Sequence, residues 1–433
     1  MSAGDTPWRE TTLGELLSIK HGFAFLGEYF GDSGSHVVLT PGNFNEEGGF
    51  VDRREKSKWY RGPIPAEYVL DADSLLVAMT EQAEGLLGSS ALVPRSSLYL
   101  HNQRLGLVQV RDPCRADTRF LYYLFNHRPV RQQIRASASG TKIRHTSPTR
   151  IEAVVVPVPG VEQQRRIAST LTAYDDLIEN CQRRIRILED MARGLYREWF
   201  VRFRFPGADS LSRVDSPLGP IPQGWLGRFA ELATIARGTI NPAGQSDEEF
   251  VHFSLPAFDD GQRAVVESGA SILSNKTLVP VPCTLLSKLN PRIPRVWRVS
   301  TATVRRAIAS TEFLALVAND ANTSDFVHAT CTSKLFQDRL AALAIGTSTS
   351  HQRVKPDSLL DMAVVVPTLA VRRRFAESIR PNLDLAEVLR SKIANLRRTR
   401  DLLLPRLMSG QIDLSALAPT DDSAIPAPAP SLV

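Results

Sequence analysis

Short apolar runs closed by proline precede long stretches of helical periodicity at two places in the chain. The runs occupy residues 151–157 (IEAVVVP) and 360–367 (LDMAVVVP). Consecutive β-branched residues over this length predict a buried strand, and the proline marks its end.

A heptad pattern follows each predicted strand, with mostly apolar residues spaced alternately by four and by three; Asn382 and Arg400 are polar exceptions in the second pattern and weaken the case for pairing. The first seam consists of Ile167, Leu171, Tyr174, Ile178, Cys181, Ile185, Leu188, Ala192, Leu195 and Trp199. The second seam, at a constant offset of 208, consists of Phe375, Ile379, Asn382, Ala386, Leu389, Ile393, Leu396, Arg400, Leu403 and Leu407. Each pattern predicts a long helix with one buried face. Pro381 predicts a kink in the second helix or a delayed start of its regular part.

The strand-and-helix pattern therefore occurs twice. Similar Gly-Thr loops precede the strands at residues 140–142 and 346–348, and residues 8–22 faintly resemble residues 225–238. We predict an α+β fold in which two mixed α/β globular domains alternate with two long helices. Two matched seams favour pairing of the helices in an antiparallel coiled coil, which gives a pseudo-twofold internal repeat. The alternative is that each helix packs only on its own domain.

The predicted domain limits follow from these patterns. They are a first globular domain at 1–158, a helix at 159–205, a second globular domain at 206–367, a helix at 368–412 and a disordered, Pro/Ala-rich tail at 413–433.

Composition agrees with a multidomain globular protein. The 433 residues are 43% hydrophobic and 23% charged, and the net charge is +6. The positive charge is concentrated in the helices, with a net +4 over residues 183–204 and +6 over residues 371–406. Such arginine-rich flanks suit an anionic surface or an acidic partner, although a solvated helix face has the same pattern.

Several classes of protein are disfavoured by the sequence. An apolar run of membrane-spanning length and a signal-peptide pattern are both lacking, so we expect a cytoplasmic protein without membrane contact. The four cysteines have no metal-site spacing and are interpreted as reduced structural thiols. Phosphate-loop, dinucleotide-binding, zinc-protease and serine-hydrolase motifs are absent, which favours a binding role without catalytic or metal-ligating residues.

Specific segments in both halves resemble a known family, the specificity subunits of type I restriction-modification systems. In the first half they are residues 37–43 (VVLTPGN), 74–80 (SLLVAMT), 101–104 (HNQR), 162–168 (EQQRRIA) and 196–200 (YREWF). In the second half they are residues 220–225 (PIPQGW), 286–292 (LSKLNPR), 309–313 (ASTEF) and 403–410 (LLPRLMSG). The resemblance extends over nearly the whole chain.

The resemblance implies a non-catalytic subunit that reads double-stranded DNA. In this family two target-recognition domains, held apart by an antiparallel pair of helices, each read one half of a split site. The helices dock two methyltransferase (modification) subunits, which bind S-adenosylmethionine and methylate adenine N6. Motor-nuclease (restriction) subunits use ATP, with Mg²⁺. All of these cofactors are therefore expected in partner subunits and none in this chain.

Helix length agrees with a split site. The first seam has 32 steps, so at about 1.5 Å per residue it separates the domains by about 50 Å or less. Major grooves one helical turn apart on DNA are about 34 Å from each other.

Candidate DNA contacts come from polar segments in each half. In the first half they are Asn102, Gln103, Arg104, Thr141, Lys142, Arg144 and His145; in the second they are Ser287, Lys288, Asn290, Arg292, Thr347, Ser348 and His351. Amide side chains suit adenine, and arginine or lysine suits guanine. One alternative is that the segments 102–104 and 287–292 are turns that hold the fold. Another is that the Gly-Thr loops are ordinary hairpin tips rather than phosphate clamps.

Candidate methyltransferase-docking residues are assigned to the outer faces of the predicted helices: Arg165, Arg166, Tyr196, Trp199, Phe200, Arg372, Arg373, Leu404 and Arg406. Trp199 and Phe200 fit equally well in the seam. The second helix begins Val-Arg-Arg-Arg where the family has Glu-Gln-Arg, so the two halves need not grip a partner equally.

Three other functions remain open from the sequence. One is a self-sufficient nuclease or methyltransferase, and another is a coiled-coil scaffold that does not touch DNA. The third is the reader of a modification-only or related defence complex.

Overall fold

The computed structural model of the chain describes residues 8–53, 56–81, 84–141, 143–208, 211–301, 304–346 and 352–414. Two units make up the chain. Unit 1 contains Met1–Asp176 and Arg397–Val433, and unit 2 contains Leu177–Leu396. Because the boundaries cut both long helices, each unit contains a part of each helix.

Unit 1 contains twelve of the described strands. They are β1 (Arg9–Thr12), β2 (Leu17–His21), β3 (Phe30–Gly31), β4 (His36–Val38), β5 (Trp59–Tyr60), β6 (Leu75–Ala78), β7 (Thr80–Glu81), β8 (Ser90–Leu92), β9 (Tyr99–Leu100), β10 (Leu105–Val110), β11 (Arg144–His145) and β12 (Val155–Val158). Its helices are α1 (Leu13–Leu16), α2 (Thr118–Asn126), α3 (Arg128–Ala136), α4 (Pro148–Glu152) and the start of α5 (Val161–Phe200). The main sheet has the antiparallel order β2-β10-β6-β8, and a second sheet has the order β3-β5-β4-β9.

Unit 2 contains the remaining described strands. They are β13 (Arg213–Val214), β14 (Ile221–Pro222), β15 (Leu226–Arg228), β16 (Ala233–Ile235), β17 (Thr239–Ile240), β18 (Glu249–Phe253), β19 (Val265–Ser268), β20 (Lys276–Leu278), β21 (Cys283–Ser287), β22 (Val296–Val299), β23 (Arg306–Ala309), β24 (Phe313–Ala318) and β25 (Ala363–Val365). Its helices are α6 (Leu255–Asp259), α7 (Ser324–Thr332), α8 (Lys334–Ala342), α9 (Pro356–Leu360) and most of α10 (Leu369–Met408). The main sheet has the order β16-β24-β21-β22, and the second sheet has five strands in the order β17-β20-β23-β18-β19.

The main sheets of the two units share one topology. Across each sheet the strands lie in the order first, last, second and third along the chain, and a pair of nine-residue helices follows each sheet. The predicted Val-Val-Val-Pro strands form in both units: β12 pairs with β1, and β25 pairs with β15. The second sheets differ in strand number and order, so the units share their main sheet rather than their whole structure.

Both predicted long helices are present, and each has 40 residues. α10 runs unbroken through Pro381, so the expected delay in its regular part does not occur. Proline in a helix interior removes one backbone hydrogen bond, and here the flanking turns are held by tertiary packing of Ile379 and Leu383.

The predicted seams are the buried faces of these helices. In unit 1, Ile167 and Leu171 of α5 belong to the same buried cluster as Leu407 of α10. In unit 2 a separate cluster joins Ile178, Cys181 and Ile185 of α5 to Ala386, Leu389 and Ile393 of α10. An ion pair accompanies each cluster, Asp175 with Arg400 in unit 1 and Glu189 with Arg390 in unit 2.

Three of the four cysteines are buried, as a structural role requires, whereas Cys114 is exposed. All four are free thiols. Within the part of the chain that the structure describes, no helix is both long and apolar enough to cross a membrane.

Candidate nucleic-acid interface

Backbone pairing holds the two sides of the predicted loop at residues 140–145 in unit 1. The backbones of Ser139 and His145 exchange two hydrogen bonds of 3.0 and 2.9 Å, and β11 pairs with β7. Gly140 has φ +99°, and a Cβ there would lie 2.1 Å from the carbonyl oxygen of Ile143, so glycine is required. Thr141 and His145 are exposed, Arg144 is half-buried, and Lys142 lies outside the described residues.

In the His-Asn-Gln-Arg motif, the first two residues hold the turn and the last two are exposed. His101 is fully buried, its Nε2 lies 2.9 Å from the carbonyl oxygen of Leu105, and burial lowers its pKa to about 4. Asn102 closes the turn, because its Oδ1 accepts the backbone N–H of Arg104 at 3.0 Å. The side chains of Gln103 and Arg104 are exposed. Only these two of the four residues are therefore placed to contact a base or a phosphate.

The corresponding motif of unit 2 is held mainly by its own backbone. Ser287 is buried at the end of β21, and its hydroxyl donates to the carbonyl oxygen of Leu289 at 3.0 Å. Asn290 has φ +48°, and its N–H donates to the carbonyl oxygen of Gln352. Lys288 is half-buried and Arg292 is exposed. The fold-holding alternative thus describes Ser287 and Asn290, and Arg292 is the most accessible candidate.

In each unit the described residues that flank the Gly-Thr loop lie beside the end of a central strand. In unit 1, β7 directly follows β6 and pairs with β11. In unit 2, Leu289 follows β21 and bridges Arg353. Thr347, Ser348 and His351 lie outside the described residues, so the second loop is defined only up to Gly346 and from Gln352 onward.

Many other arginines of unit 2 are engaged by carboxylates rather than free for phosphate. Arg353 pairs with Glu312, Arg295 pairs with Asp259, and Arg305 pairs with Glu249. Such pairs offset positive charge on the surface, so the net charge of a domain does not locate its DNA contacts.

The predicted docking residues of α5 have different environments. Arg165 is exposed and pairs with Glu162 on the same helix. Arg166 is half-buried and donates to the carbonyl oxygen of Leu414 at 3.2 Å. Tyr196, Trp199 and Phe200 are at most 7% exposed and belong to the core of unit 2. The outer face that we expected therefore does not include these three rings, because their apolar surface is already buried against unit 2.

The predicted docking residues of α10 also have different environments. Arg372 is half-buried, and burial lowers the pKa of its guanidinium. Arg373 pairs with Asp320 in unit 2. Leu404 packs against the core of unit 1, and Arg406 is exposed. Arg165, Arg373 and Arg406 are the exposed members of the predicted set.

An exposed apolar surface on the helices was missed from the sequence. Ile187 and Met191 of α5 are 52% and 55% exposed, and Leu385 and Val388 of α10 are 38% and 62% exposed, all in unit 2. These residues lie off the heptad seams, and that position is the signal that could have identified them.

Within the described ranges, no three histidine, cysteine or acidic side chains are grouped so that they could hold a metal ion.

A cavity of about 600 Å³ lies in unit 2 and is lined by residues of α5, α10, β22 and α7, among them Arg298 and His328.

Comparisons with known proteins agree with this arrangement. Residues 6–189 match the family model described as type I restriction modification DNA specificity domain. The chain is 20% identical over 307 residues to the type I restriction enzyme MjaIX specificity subunit of Methanocaldococcus jannaschii, a match that covers 69% of this chain and 70% of that protein. By these matches the chain is similar to the type I restriction-modification specificity subunits.

Two further similarities agree with this family. The MjaVIII specificity subunit of the same organism is 21% identical over 321 residues, covering 69% of this chain and 71% of that protein. The crystal structure of a type I restriction-modification system S subunit from M. genitalium has a TM-score of 0.61 at 14% identity, and the match covers 94% of this chain and 98% of that one. The resemblance inferred from the sequence is thus confirmed, and the mixed α/β fold with long helices is that of a known specificity subunit.

Proposed function

We propose that this specificity subunit reads a bipartite site in double-stranded DNA, one half-site for each unit. The duplicated main sheet carries the proposal. Both units build it in one strand order and follow it with a 40-residue helix, while their second sheets differ. Reading two different half-sites requires two different surfaces on a shared scaffold.

The long helices would form the antiparallel coiled coil of a pseudo-twofold molecule. Ion pairs of α5 with α10 join Asp175 to Arg400 and Glu189 to Arg390. Along α5 the positions rise while along α10 they fall, which is the order of antiparallel partners. The exposed residues Gln103 and Arg104 in unit 1 and Arg292 in unit 2 are the proposed DNA contacts, with Thr141, Arg144 and His145 at the neighbouring loop.

Catalysis in this proposal belongs to the partners. Two methyltransferase subunits would bind S-adenosylmethionine, and motor-nuclease subunits would use ATP and Mg²⁺. Arg165, Arg406 and the exposed apolar residues Ile187 and Met191 support docking on the helices, since apolar side chains beside arginines are typical of protein interfaces.

Modification-sensitive long-read sequencing tests the proposal directly. DNA would be compared from cells that express the chain with its cognate methyltransferase and from cells that lack only this chain. We expect N6-methyladenine in a split motif, on both strands, only when the chain is present. Identical methylation in both samples would contradict the proposal and favour a scaffold without DNA contact.

A further inference from the structure

Two kinds of contact attach the sheet domain of unit 2 to the long helices. The first is an aromatic cluster. The ring centroid of Phe200 lies 4.9 Å from that of Phe375 and 5.0 Å from that of Phe326. Phe200 and Phe375 belong to α5 and α10, whereas Phe326 belongs to α7 of the domain. Apolar contacts of this kind bind strongly but have little directional preference.

The second attachment is a cluster of charged groups around Arg298 of β22. Its Nε donates to Asp325 of α7 at 2.6 Å, while Nη2 and Nη1 reach Asp384 and Glu387 of α10, each at 2.8 Å. The other carboxylate oxygen of Glu387 accepts the hydroxyl of Ser300 at 2.6 Å. The planar guanidinium is thus held by three carboxylates from two elements, which fixes its direction as well as its position.

A second arginine closes the same cluster from the helix side. The Nε of Arg380 on α10 donates to the free oxygen of Asp325 at 2.9 Å. The side chains of Arg298 and Asp325 are only 9% and 5% exposed, so solvent screens the bond between them weakly. Their partners on α10 lie nearer the surface, because Glu387, Arg380 and Asp384 are 31%, 41% and 54% exposed. The domain and α10 are therefore cross-linked in both directions by directional bonds around one buried ion pair.

The charged cluster lies at the wall of the 600 Å³ cavity. The cavity is lined by Arg298, Ser300 and Glu387, and also by Ile379 and Leu383 of α10. Apolar packing joins α10 to the domain from Phe375 to Leu383, whereas beyond Leu383 the helix faces the cavity and the charged cluster supplies the contact. Phe375 and Glu387 are 12 residues apart, so the contacts of α10 with the domain extend over about 18 Å of helix, and the charged cluster lies at one end of them.

We infer that Arg298 is a positioning residue that fixes the angle of the unit 2 recognition domain on the helices and thereby the spacer length that the protein accepts. The inference rests on the proposed reading of a bipartite site. A domain of about 160 residues is about 40 Å across, so a tilt of about 5° at its base moves its far edge by about 3.5 Å. That displacement matches the rise of about 3.4 Å for one base pair.

Two variants on the helix side weaken the cluster without leaving Arg298 unpaired. Glu387→Gln and Asp384→Asn keep side-chain size and retain the bond of Arg298 to Asp325. The complex with its methyltransferase would be assayed on DNA that carries the two half-sites with the native spacer and with one base pair more or less. We expect the ratio of methylation at native over altered spacers to fall about tenfold in each variant, and further in Arg298→Met.

The control removes an equally buried ion pair that is internal to the same domain. Arg295 binds Asp259 through two bonds of 2.7 and 2.8 Å, and its side chain is 13% exposed. Asp259→Asn should leave the spacer ratio unchanged.

The outcomes distinguish failure of the positioning role from failure of the proposed function. Equal loss of methylation at all three spacers in Glu387→Gln and Asp384→Asn, or no change at all, would overturn the positioning role, since a purely structural residue does not alter the ratio. A wild-type complex that methylates no split site would instead overturn the proposed function.

Discussion

Asn102 illustrates how a residue predicted to contact DNA can instead hold the fold. The sequence indicated a polar motif, but polarity does not distinguish a side chain that faces solvent from one that satisfies a buried carbonyl. His101 and Asn102 bond to their own turn, and Gln103 and Arg104 face outward. Side-chain direction at a turn depends on which backbone groups need partners, and that is known only after the fold is built.

The stability of unit 1 should fall between about pH 6.5 and pH 4. Burial lowers the pKa of His101 to about 4, so the unfolded chain binds a proton below its ordinary pKa while the folded chain does not. Stability is therefore full above pH 6.5 and decreases as pH falls toward 4, by up to about 3 kcal/mol. Urea unfolding of wild type and His101→Gln across this range measures the effect, and the variant should show a shallower slope. Parallel slopes would contradict the assignment.

Arg104 should contribute to DNA affinity in unit 1. If it contacts a guanine, Arg104→Ala costs about 1–3 kcal/mol on the cognate half-site and relaxes selectivity there. If it contacts a phosphate, binding weakens on every sequence and the salt slope falls by about 1. Titrations of the methyltransferase complex at several salt concentrations distinguish these results. Arg119, which is exposed and lies 3.6 Å from Asp73, supplies the matched control, and an effect no larger than that of Arg119→Ala would exclude a contact.

The start of each long helix is the clearest difference between the halves at the scale of elements. In α5 the buried amide of Gln164 accepts the N–H of Asp117 at 3.0 Å and donates to the carbonyl oxygens of Arg115 and Pro159. The equivalent position in α10 is Arg372, and the neighbouring Arg373 pairs with Asp320. The altered Val-Arg-Arg-Arg start that the sequence analysis noted is thus a change in how the helix is fastened to its sheet domain.

Loss of the Gln164 side chain should destabilise unit 1 markedly. Gln164→Ala leaves one donor and two acceptors buried without partners, at about 1–3 kcal/mol each before relaxation, so we expect a total loss of about 3 kcal/mol. Denaturant unfolding checks this value. The adjacent Gln163→Ala is the control and should cost less than about 0.5 kcal/mol, a typical figure for a surface change. Equal effects of both variants would show that the amide bonds contribute little.

At the scale of the whole molecule, periodicity predicted the elements far better than their partners. The heptad seams correctly identified the buried faces of α5 and α10, because a buried stripe must be apolar whatever covers it. A pattern does not say what covers it. Tyr196, Trp199 and Phe200 are covered by Phe326 and Phe375 from distant parts of the chain, and one sequence carries no record of such contacts.

Arg298 could not be assigned from the sequence for a related reason. It was visible only as one charged residue within a short strand of buried neighbours, Val296, Trp297 and Val299. Its three carboxylate partners come from α7 and α10, 27, 86 and 89 residues further along the chain. Residues whose role depends on charges gathered over such separations are recognised only in three dimensions.

Different kinds of bond attach the starts of α5 and α10 to their sheet domains, so the two attachments differ in their response to salt. The amide bonds of Gln164 are neutral and buried, so dissolved ions scarcely alter them, whereas Arg373 and Asp320 form a partly exposed ion pair that salt screens. Rising ionic strength therefore weakens the attachment of the second helix more than that of the first. Under the proposed function, recognition of the half-site read by unit 2 should be the more sensitive of the two to salt.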